Sequence, residues 1–200
     1  LGTEKLEEEI KIKYPKAKVL RMDADTTTRK GSHEKYIQMI ENGEVNIIVG
    51  TQMISKGLDF PNVTVVGVIN ADESLNVPDF RSGEYTYSLL SQVSGRAGRK
   101  NGDGKVILQT FNKDNETLNL VKQNNYKGLC TYEMNIRREL KYPPYFYITT
   151  IKIASKDYDE ASKEATKACT YLRKNLENTY ILGPTTARMF KVKNIYRFQI

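Results

Sequence analysis

The chain has 200 residues and is 39% hydrophobic, which is enough for a real core and fits one large domain or two small ones. Its net charge of +7 is uneven, because residues 1–110 carry 15 basic and 15 acidic side chains whereas residues 111–200 carry 16 and 9. The basic, tyrosine-rich second half favours contact with nucleic acid or another polyanion, and scattered surface lysines are the alternative.

Several classes of protein are disfavoured by what the sequence lacks. Cys130 and Cys169 are far apart and have no CxxC spacing, so neither a zinc site nor a disulfide framework is indicated. No apolar run reaches membrane-spanning length, and no signal peptide is visible. We therefore predict a cytoplasmic protein without membrane contact. Because the chain opens on Leu1 and ends on strand-like residues, we also expect it to be a piece of something longer.

Helices and strands alternate through the first part of the chain. We predict two helices capped by Thr3 and Ser32, a helix over 82–99, and strands over 18–22, 45–50, 63–69 and 105–111. This order is typical of a doubly wound α/β sheet of mainly parallel strands. Ligands bind such sheets at the carboxyl ends of the strands, where the segment 50–60 begins.

Two acidic side chains, Asp23 and Asp25, follow the first predicted strand. They could bind a metal or ligand, or they could form an Asx turn, which is the more frequent use of aspartate at such a place. The single histidine, His33, falls in the first turn of a predicted helix and is interpreted as a surface residue.

The pattern changes after residue 111. We predict helices over 114–124, 126–140 and 157–176, a strand over 147–153, and a hairpin over 187–200 that turns near Lys193-Asn194. Pro143 and Pro144 end the second of these helices, because proline lacks the backbone donor. The predicted domains are thus residues 1–113 and a small α+β domain at residues 114–200.

A polar stripe occupies the end of the helix predicted over 82–99. Gln92, Arg96 and Arg99 fall at positions i, i+4 and i+7, which would place an amide and two guanidiniums on one face. Guanidinium donors match phosphate oxygens, so the stripe suits a polyphosphate. The alternative is an ordinary helix end, where cations are favoured by the helix dipole.

Two motifs carry a resemblance to a known family. The segments GTQMISKGLDFP at 50–61 and QVSGRAGR at 92–99 resemble motifs V and VI of superfamily 2 helicases. With PDFRS at 78–82 and YPP at 142–144, the whole chain is similar to the primosomal replication-restart helicases, and residues 2–5 resemble the segment after that family's zinc-binding insertion. The resemblance implies a RecA-like second helicase lobe followed by a small α+β C-terminal domain.

The resemblance also implies roles at an ATP site. Arg99 is similar to the arginine finger and Arg96 to its companion, both directed at the β and γ phosphates, while Gln92 would position the nucleotide or the attacking water. Gly57 and Asp59 resemble motif V positions near the ribose and the contact between the lobes. ATP and Mg²⁺ are accordingly expected as cofactors of the full-length protein.

Other parts of the machinery are absent from this sequence. It has no GxxxxGK[ST] loop and no acidic motif II, so the isolated chain is not expected to hydrolyse ATP or unwind DNA. Zinc is expected in the full-length protein by resemblance, and no metal ligands are expected in this chain.

Contacts with DNA are implied at two places. Thr51 and Gln52 resemble residues that touch the DNA backbone or link it to the ATP site, and Lys56 is either a DNA contact or a solvated helix residue. In the hairpin, four cations alternate with aromatic residues: Arg188, Lys191, Lys193 and Arg197 with Phe190, Tyr196 and Phe198. They fit backbone neutralisation with base stacking, or a hairpin whose aromatics are in the core and whose lysines are in water.

A second basic cluster, Arg137, Arg138 and Lys141, is either part of this surface or a solvated helix end. The resemblance favours the C-terminal part of an ATP-dependent 3′ to 5′ DNA helicase that recognises stalled forks and initiates primosome assembly. Its implied partners are forked and single-stranded DNA, single-strand-binding protein, and primosome and helicase-loading proteins. The alternative is a non-catalytic DNA or protein docking module with a helicase-like fold.

Overall fold

The computed structural model describes residues 2–23, 26–27, 31–51, 62–97 and 104–200. Contacts between Cα atoms divide the chain into two compact units, Leu1–Glu139 and Leu140–Ile200. No described sheet or apolar cluster is shared between the two units. They are described separately.

The first unit alternates helices with short strands. In chain order its described elements are α1 (Thr3–Lys13), β1 (Val19–Met22), α2 (Ser32–Glu41), β2 (Ile47–Gly50), β3 (Val65–Val68), α3 (Asp72–Leu75), α4 (Ser82–Ser94), β4 (Lys105–Leu108), α5 (Glu116–Lys122) and α6 (Tyr126–Glu139). Strand β1 pairs with β2 and β3 pairs with β4, both in parallel. Within the described residues these are two separate two-stranded sheets. The predicted α/β pattern with parallel strands is confirmed.

The main core of the first unit lies among α4, α5, α6 and the β3–β4 pair. Its buried members are Ala71, Tyr87, Leu90, Leu118, Leu120, Val121 and Leu129, with Val68, Leu75 and Leu108 packed against them. A smaller cluster forms where Met22 of β1 meets apolar side chains of α2 and β2. The apolar positions of α4 recur at helical spacing, so one face of the helix is buried along its length.

Helices α5 and α6 belong to this first unit. Leu118, Val121 and Leu129 from these helices complete the core that Leu90 begins. The boundary predicted at 113/114 is therefore not where the contacts divide the chain, because the division falls at 139/140. The predicted boundary followed a change in the local sequence pattern after residue 111. The burial of α5 and α6, in contrast, depends on their contacts with α4.

Two helix starts differ from the predictions. The N-cap of α1 is Gly2, and the Thr3 hydroxyl donates instead to Asp23 Oδ2 at 2.6 Å. The N-cap of α2 is Gly31, which has φ 85°, and Ser32 is the first helical residue. Since each difference is one residue, the helices themselves were predicted correctly.

The second unit is a three-stranded antiparallel sheet with one helix against it. Its elements are β5 (Lys152–Ser155), α7 (Tyr158–Asn175), β6 (Thr185–Val192) and β7 (Ile195–Gln199), and the strand order is β5-β7-β6. Lys193 and Asn194 turn the β6–β7 hairpin with φ of 49° and 60°. Two consecutive positive φ angles are those of a type I′ turn, so the predicted hairpin and its turn are confirmed.

The strand predicted over 147–153 is displaced toward the C-terminus. Regular pairing starts at Lys152, and the residue before it, Ile151, exchanges two backbone hydrogen bonds of 3.0 Å with Ile200. Tyr147 is fully exposed at 103% of its reference surface. Residues 147–150 therefore do not extend the ladder, because no strand in the described part of the chain pairs with them.

Helix α7 closes the core of the second unit. Asp157 caps it by accepting a 2.8 Å hydrogen bond from the backbone of Glu160. Ala161 and Ala165 are 1% and 0% exposed and pack against Phe198 of β7. Their small side chains let the helix lie close to the sheet, as predicted for residues 157–176.

Candidate nucleotide and DNA interfaces

Helix α4 leads directly into the arginine motif. Its last residue is Ser94, so the helix predicted over 82–99 is too long. Gly95 still donates to Ser91, but Arg96 donates to Val93, and Ala97 to Ser94, three residues back in each case. Such bonds tighten and end a helix, which places Arg96 in a turn and not on the helical face expected from the i, i+4 spacing.

The described members of the polar stripe differ in exposure. Gln92 is exposed and donates from Nε2 to the Ser88 hydroxyl at 3.3 Å, whereas Arg96 is half-buried and has an interaction partner. Arg99 lies outside the described residues. The structure thus brings Gln92 and Arg96 to the C-terminal end of α4, and the interpretation of Arg99 stays a prediction.

The motif V segment leaves the carboxyl end of β2. Thr51 follows Gly50 directly and is exposed, and Gly50 pairs with Met22 in the parallel register. Thr51 therefore leaves the same sheet edge as Asp23, which follows Met22. The other predicted residues of this segment lie outside the described residues: Gln52, Lys56, Gly57 and Asp59.

Asp23 is an anchor for its own loop and not an open ligand. Its carboxylate accepts hydrogen bonds from the Thr3 hydroxyl at 2.6 Å and from the Thr26 backbone at 3.0 Å. The Thr3 hydroxyl is the main cause that holds the pKa of Asp23 below its ordinary value. Asp23 thus bonds to its own loop as the turn alternative expected, although to the backbone three residues on and not two as in an Asx turn, and Asp25 is outside the described residues. In the described parts of the chain no group of three His, Cys, Asp or Glu side chains is placed to hold a metal.

A second basic cluster predicted near the end of α6 is only partly at the surface. Arg138 and Lys141 are exposed, but Arg137 is buried and donates from Nη2 to Glu84 Oε1 of α4 at 2.6 Å. Neither predicted alternative, a DNA surface or a solvated helix end, describes Arg137. Sequence reasoning missed this pair because its members are 53 positions apart.

Glu133, one turn before Arg137, shares this environment. Its carboxylate is buried, and its Oε2 lies 3.8 Å from Arg137 Nε. Burial raises the pKa of Glu133 above its ordinary value, the Glu84 carboxylate adds to the rise, and Arg137 opposes it. Sequence reasoning therefore missed Glu133, a buried carboxyl group whose ionised form is disfavoured at this position.

The hairpin separates its charges from its rings. Arg188, Lys191 and Lys193 are exposed and Arg197 is half-buried. The rings of Phe190, Tyr196 and Phe198 surround Tyr158 of α7 at centroid distances of 5.7 to 6.0 Å. These rings belong to the core cluster, so the arrangement is the predicted alternative with aromatics inside, and base stacking by them is not supported.

Lys191 has a defined place on the hairpin. Its ammonium donates to the Tyr196 hydroxyl at 2.9 Å and lies 4.5 Å from the centre of that ring. Arg188 and Lys193 are not restrained in this way by any side chain of the described residues. The exposed cations of the hairpin are therefore the groups that an anion could contact.

The comparisons with known proteins agree with this architecture. The profile of the helicase conserved C-terminal domain matches residues 2–101, and that of the primosomal protein N C-terminal domain matches residues 138–200. The chain therefore belongs to the helicase conserved C-terminal domain family. The predicted fold class, a RecA-like second helicase lobe of the α/β class followed by a small α+β C-terminal domain, is confirmed.

The relatives narrow the class to one kind of helicase protein. The chain is 46% identical over 199 residues to the replication restart protein PriA of Bacillus subtilis, 38% identical over 200 residues to that of Synechocystis, and 37% identical over 201 residues to that of Haemophilus influenzae. These matches cover 99%, 100% and 100% of the chain but only 25%, 24% and 28% of the relatives. The chain is thus similar to the C-terminal part of PriA and spans about a quarter of its length, which confirms the resemblance predicted from the motifs.

The second profile begins at residue 138, close to the division between the two units at 139/140. None of the helices in the described ranges is both long enough and apolar enough to cross a lipid bilayer.

Proposed function

We propose that this chain is the second motor lobe and C-terminal domain of an ATP-dependent 3′ to 5′ DNA helicase of the cytoplasm. In this proposal the full-length protein recognises stalled replication forks and initiates primosome assembly. The observation that carries it is the similarity of the whole chain to replication restart proteins named PriA, with both helicase motifs in place. The proposed partners are forked and single-stranded DNA, single-strand-binding protein, and primosome and helicase-loading proteins.

The proposed role of the arginine motif is to complete an ATP site that begins on the preceding lobe. Arg99 and Arg96 would face the β and γ phosphates, Gln92 would hold the attacking water, and Gly57 and Asp59 would lie near the ribose. Charge develops on the phosphoryl oxygens during transfer, and a fixed guanidinium can contribute roughly 10³ to 10⁵ in rate. The half-buried position of Arg96 after a packed helix supports a fixed guanidinium.

The metal ions of the proposal belong to other parts of the full-length protein. Mg²⁺ would come with ATP on the preceding lobe, since this sequence has neither a GxxxxGK[ST] loop nor an acidic motif II. Cys130 is exposed and Cys169 is buried and far from it in sequence, a pair that does not fit a zinc site.

The DNA contacts of the proposal rest on charge. Thr51, Gln52 and Lys56 would meet the DNA backbone at the sheet edge. The four hairpin cations, Arg188, Lys191, Lys193 and Arg197, would neutralise phosphates without base stacking, since the neighbouring rings pack against Tyr158. A backbone-directed surface of this kind suits branched substrates of any sequence.

The arginine assignment is tested in the full-length protein by Arg99→Ala, with Arg138→Ala as an exposed control. We expect Arg99→Ala to lower DNA-stimulated ATP turnover by about 10³ or more while DNA affinity is nearly unchanged. The control should keep parental turnover. Turnover of Arg99→Ala within a few-fold of the parent would contradict the assignment, and a parent that binds DNA without any ATP turnover would favour the docking-module alternative.

The hairpin assignment is tested by binding of forked DNA across a salt series. Lys193→Glu combined with Arg188→Glu should weaken binding and reduce the slope of log affinity against log salt, because fewer counterions are released. Lys163→Glu, an exposed charge reversal on α7, serves as the control. Equal affinities and slopes for the hairpin variant and the control would refute a DNA-binding hairpin.

A further inference from the structure

A charged cluster that is buried at Arg137 and Glu133 and partly exposed at Glu84 joins the start of α4 to the end of α6. We call it the Arg137 cluster; its members are Phe80, Gly83, Glu84, Glu133 and Arg137. The Arg137 guanidinium donates to Glu84 at 2.6 Å and lies 4.8 Å from the centre of the Phe80 ring. It is therefore bound both by a carboxylate and by an aromatic face.

The two helices are shaped to hold this cluster. A Cβ atom at Gly83 would lie 2.1 Å from Glu133 Oε1 and 3.3 Å from Thr117 Oγ1. A side chain at Gly83 would displace the Glu133 carboxylate, so the backbone of α4 comes close to the α6 side chains at the level of the charges. The side chains of Arg137 and Glu133 are 10% and 8% exposed, whereas that of Glu84 is 44% exposed and reaches solvent.

Stability is a weak reason for such an arrangement. Buried charges lose hydration, and replacing a buried ion pair by well-packed apolar side chains is often neutral or stabilising. Removing one partner, in contrast, leaves the buried Arg137 guanidinium without its carboxylate, which is unfavourable even though solvent screens the exposed part of Glu84. A cluster of this kind therefore fixes one relative position of α4 and α6 more strongly than it stabilises the unit.

The cluster lies between two functional segments of the chain. Arg137 is three residues before Leu140, where the second unit begins. Glu84 is in the first turn of α4, and Arg96 follows the other end of that helix. The helix has 13 residues and is about 20 Å long at 1.5 Å per residue. Tyr87 and Leu90 hold the middle of α4 in the core, so the two ends of the helix keep a fixed relation to each other.

We infer that Arg137 is a positioning residue through which engagement of DNA by the second unit adjusts the turn that carries Arg96, by way of the Arg137 cluster and α4. The inference rests on the proposed function and adds a specific coupling residue to it. Its physical basis is a rigid helix fixed at one end to the segment that leads into the second unit and followed at the other by a phosphate-directed guanidinium. Coupling of this kind is reciprocal between the two sites.

The test uses full-length protein and measures ATP turnover with and without single-stranded DNA, together with DNA affinity. Glu84→Gln removes the partner charge at nearly constant shape, and Phe80→Leu removes the ring but keeps the ion pair. For both we expect the ratio of DNA-stimulated to basal turnover to fall by about fivefold or more, the range of typical coupling energies. Basal turnover and DNA affinity should stay within about twofold of the parent, a smaller change than such coupling produces.

Arg137→Lys should resemble these variants, since an ammonium cannot reproduce the flat contact with Phe80 or the guanidinium fork. Leu129→Val is the matched control, because it loosens the adjacent core of α6 without touching the charges. An unchanged ratio in both Glu84→Gln and Phe80→Leu would overturn the inference, as would an equal fall in Leu129→Val. If the parent itself shows no DNA-stimulated turnover, the proposed function fails together with the inference. If the parent shows DNA-stimulated turnover and the variants show the same ratio, the inference alone fails.

Discussion

The carboxylate of Asp72 and the hydroxyl of Thr110 lie 2.7 Å apart and join the segments that follow strands β3 and β4. The second carboxylate oxygen accepts a 2.8 Å hydrogen bond from the backbone of Phe111. Because β3 and β4 are parallel, both segments leave the same edge of the sheet. A single buried side chain thus holds two loops together, and its hydrogen bonds, above all that from Thr110, keep the pKa of Asp72 below its ordinary value.

Replacing this carboxylate by an amide should destabilise the chain in a pH-dependent way. A depressed folded-state pKa contributes stability above the ordinary value of 3.8 that is lost as pH falls through the folded value. Asp72→Asn should therefore differ most from the parent at neutral pH and least in strong acid. Urea unfolding of both proteins from about pH 2 to about pH 7 measures this difference, because that window includes the usual carboxyl pKa range of about 2 to 5. A difference independent of pH would contradict it.

Glu133 should show the opposite pH dependence. Its folded-state pKa is raised, so ionisation in the folded protein costs stability as pH rises from the ordinary value of 4.5 through the raised value. Glu133→Gln lacks this cost, and its stability relative to the parent should increase as pH rises toward neutrality. Denaturant unfolding at a series of pH values tests the sign. Glu139→Gln, an exposed change on the same helix, should show no such trend.

Gly183 occupies a conformation that other residues rarely adopt. Its φ is +98°, and a Cβ atom there would lie 2.9 Å from the backbone oxygen of Gln199. Gly183→Ala should therefore destabilise the second unit by about 2 kcal/mol, through backbone strain and the clash together. The melting temperature measures the loss. Gly67→Ala, where no atom lies within 4 Å and φ is not positive, should leave the melting temperature nearly unchanged.

Leu90 is 1% exposed at the centre of the larger core of the first unit. Leu90→Ala should lower the free energy of unfolding by about 3 kcal/mol, since it removes buried apolar surface and leaves a cavity. Ile12→Ala, at a side chain that is 81% exposed, should change it by less than about 0.5 kcal/mol. Equal losses at the two positions in denaturant titrations would show that the packing around α4 is not as described.

Local patterns were sufficient for much of the fold. The hairpin turn at Lys193-Asn194 and the helix that Asp157 caps depend on residues close together in the chain, and both were predicted. The end of α4 was not, because the helical spacing of Gln92, Arg96 and Arg99 continues past Ser94 although the hydrogen bonds change there.

Contacts between distant residues decided the rest. Nothing near Arg137 in sequence indicates that its partner is Glu84, and an arginine beside Arg138 at a helix end is typical of a surface. The same holds for Asp72 and Thr110, which are 38 positions apart. The hairpin rings had two possible places, and only the packing of Tyr158 against them put them in the core.

The sequence by itself determined the family, since motifs such as those at 50–61 and 92–99 are read directly from residue order. It also determined the alternation of helices and strands, which follows from local periodicity. Only the tertiary structure decided which charges are buried, where the units divide, and that α4 is fixed to α6 beside the start of the second unit. Burial and ion pairing depend on which helices pack together, and that is a property of the whole unit and not of any one segment.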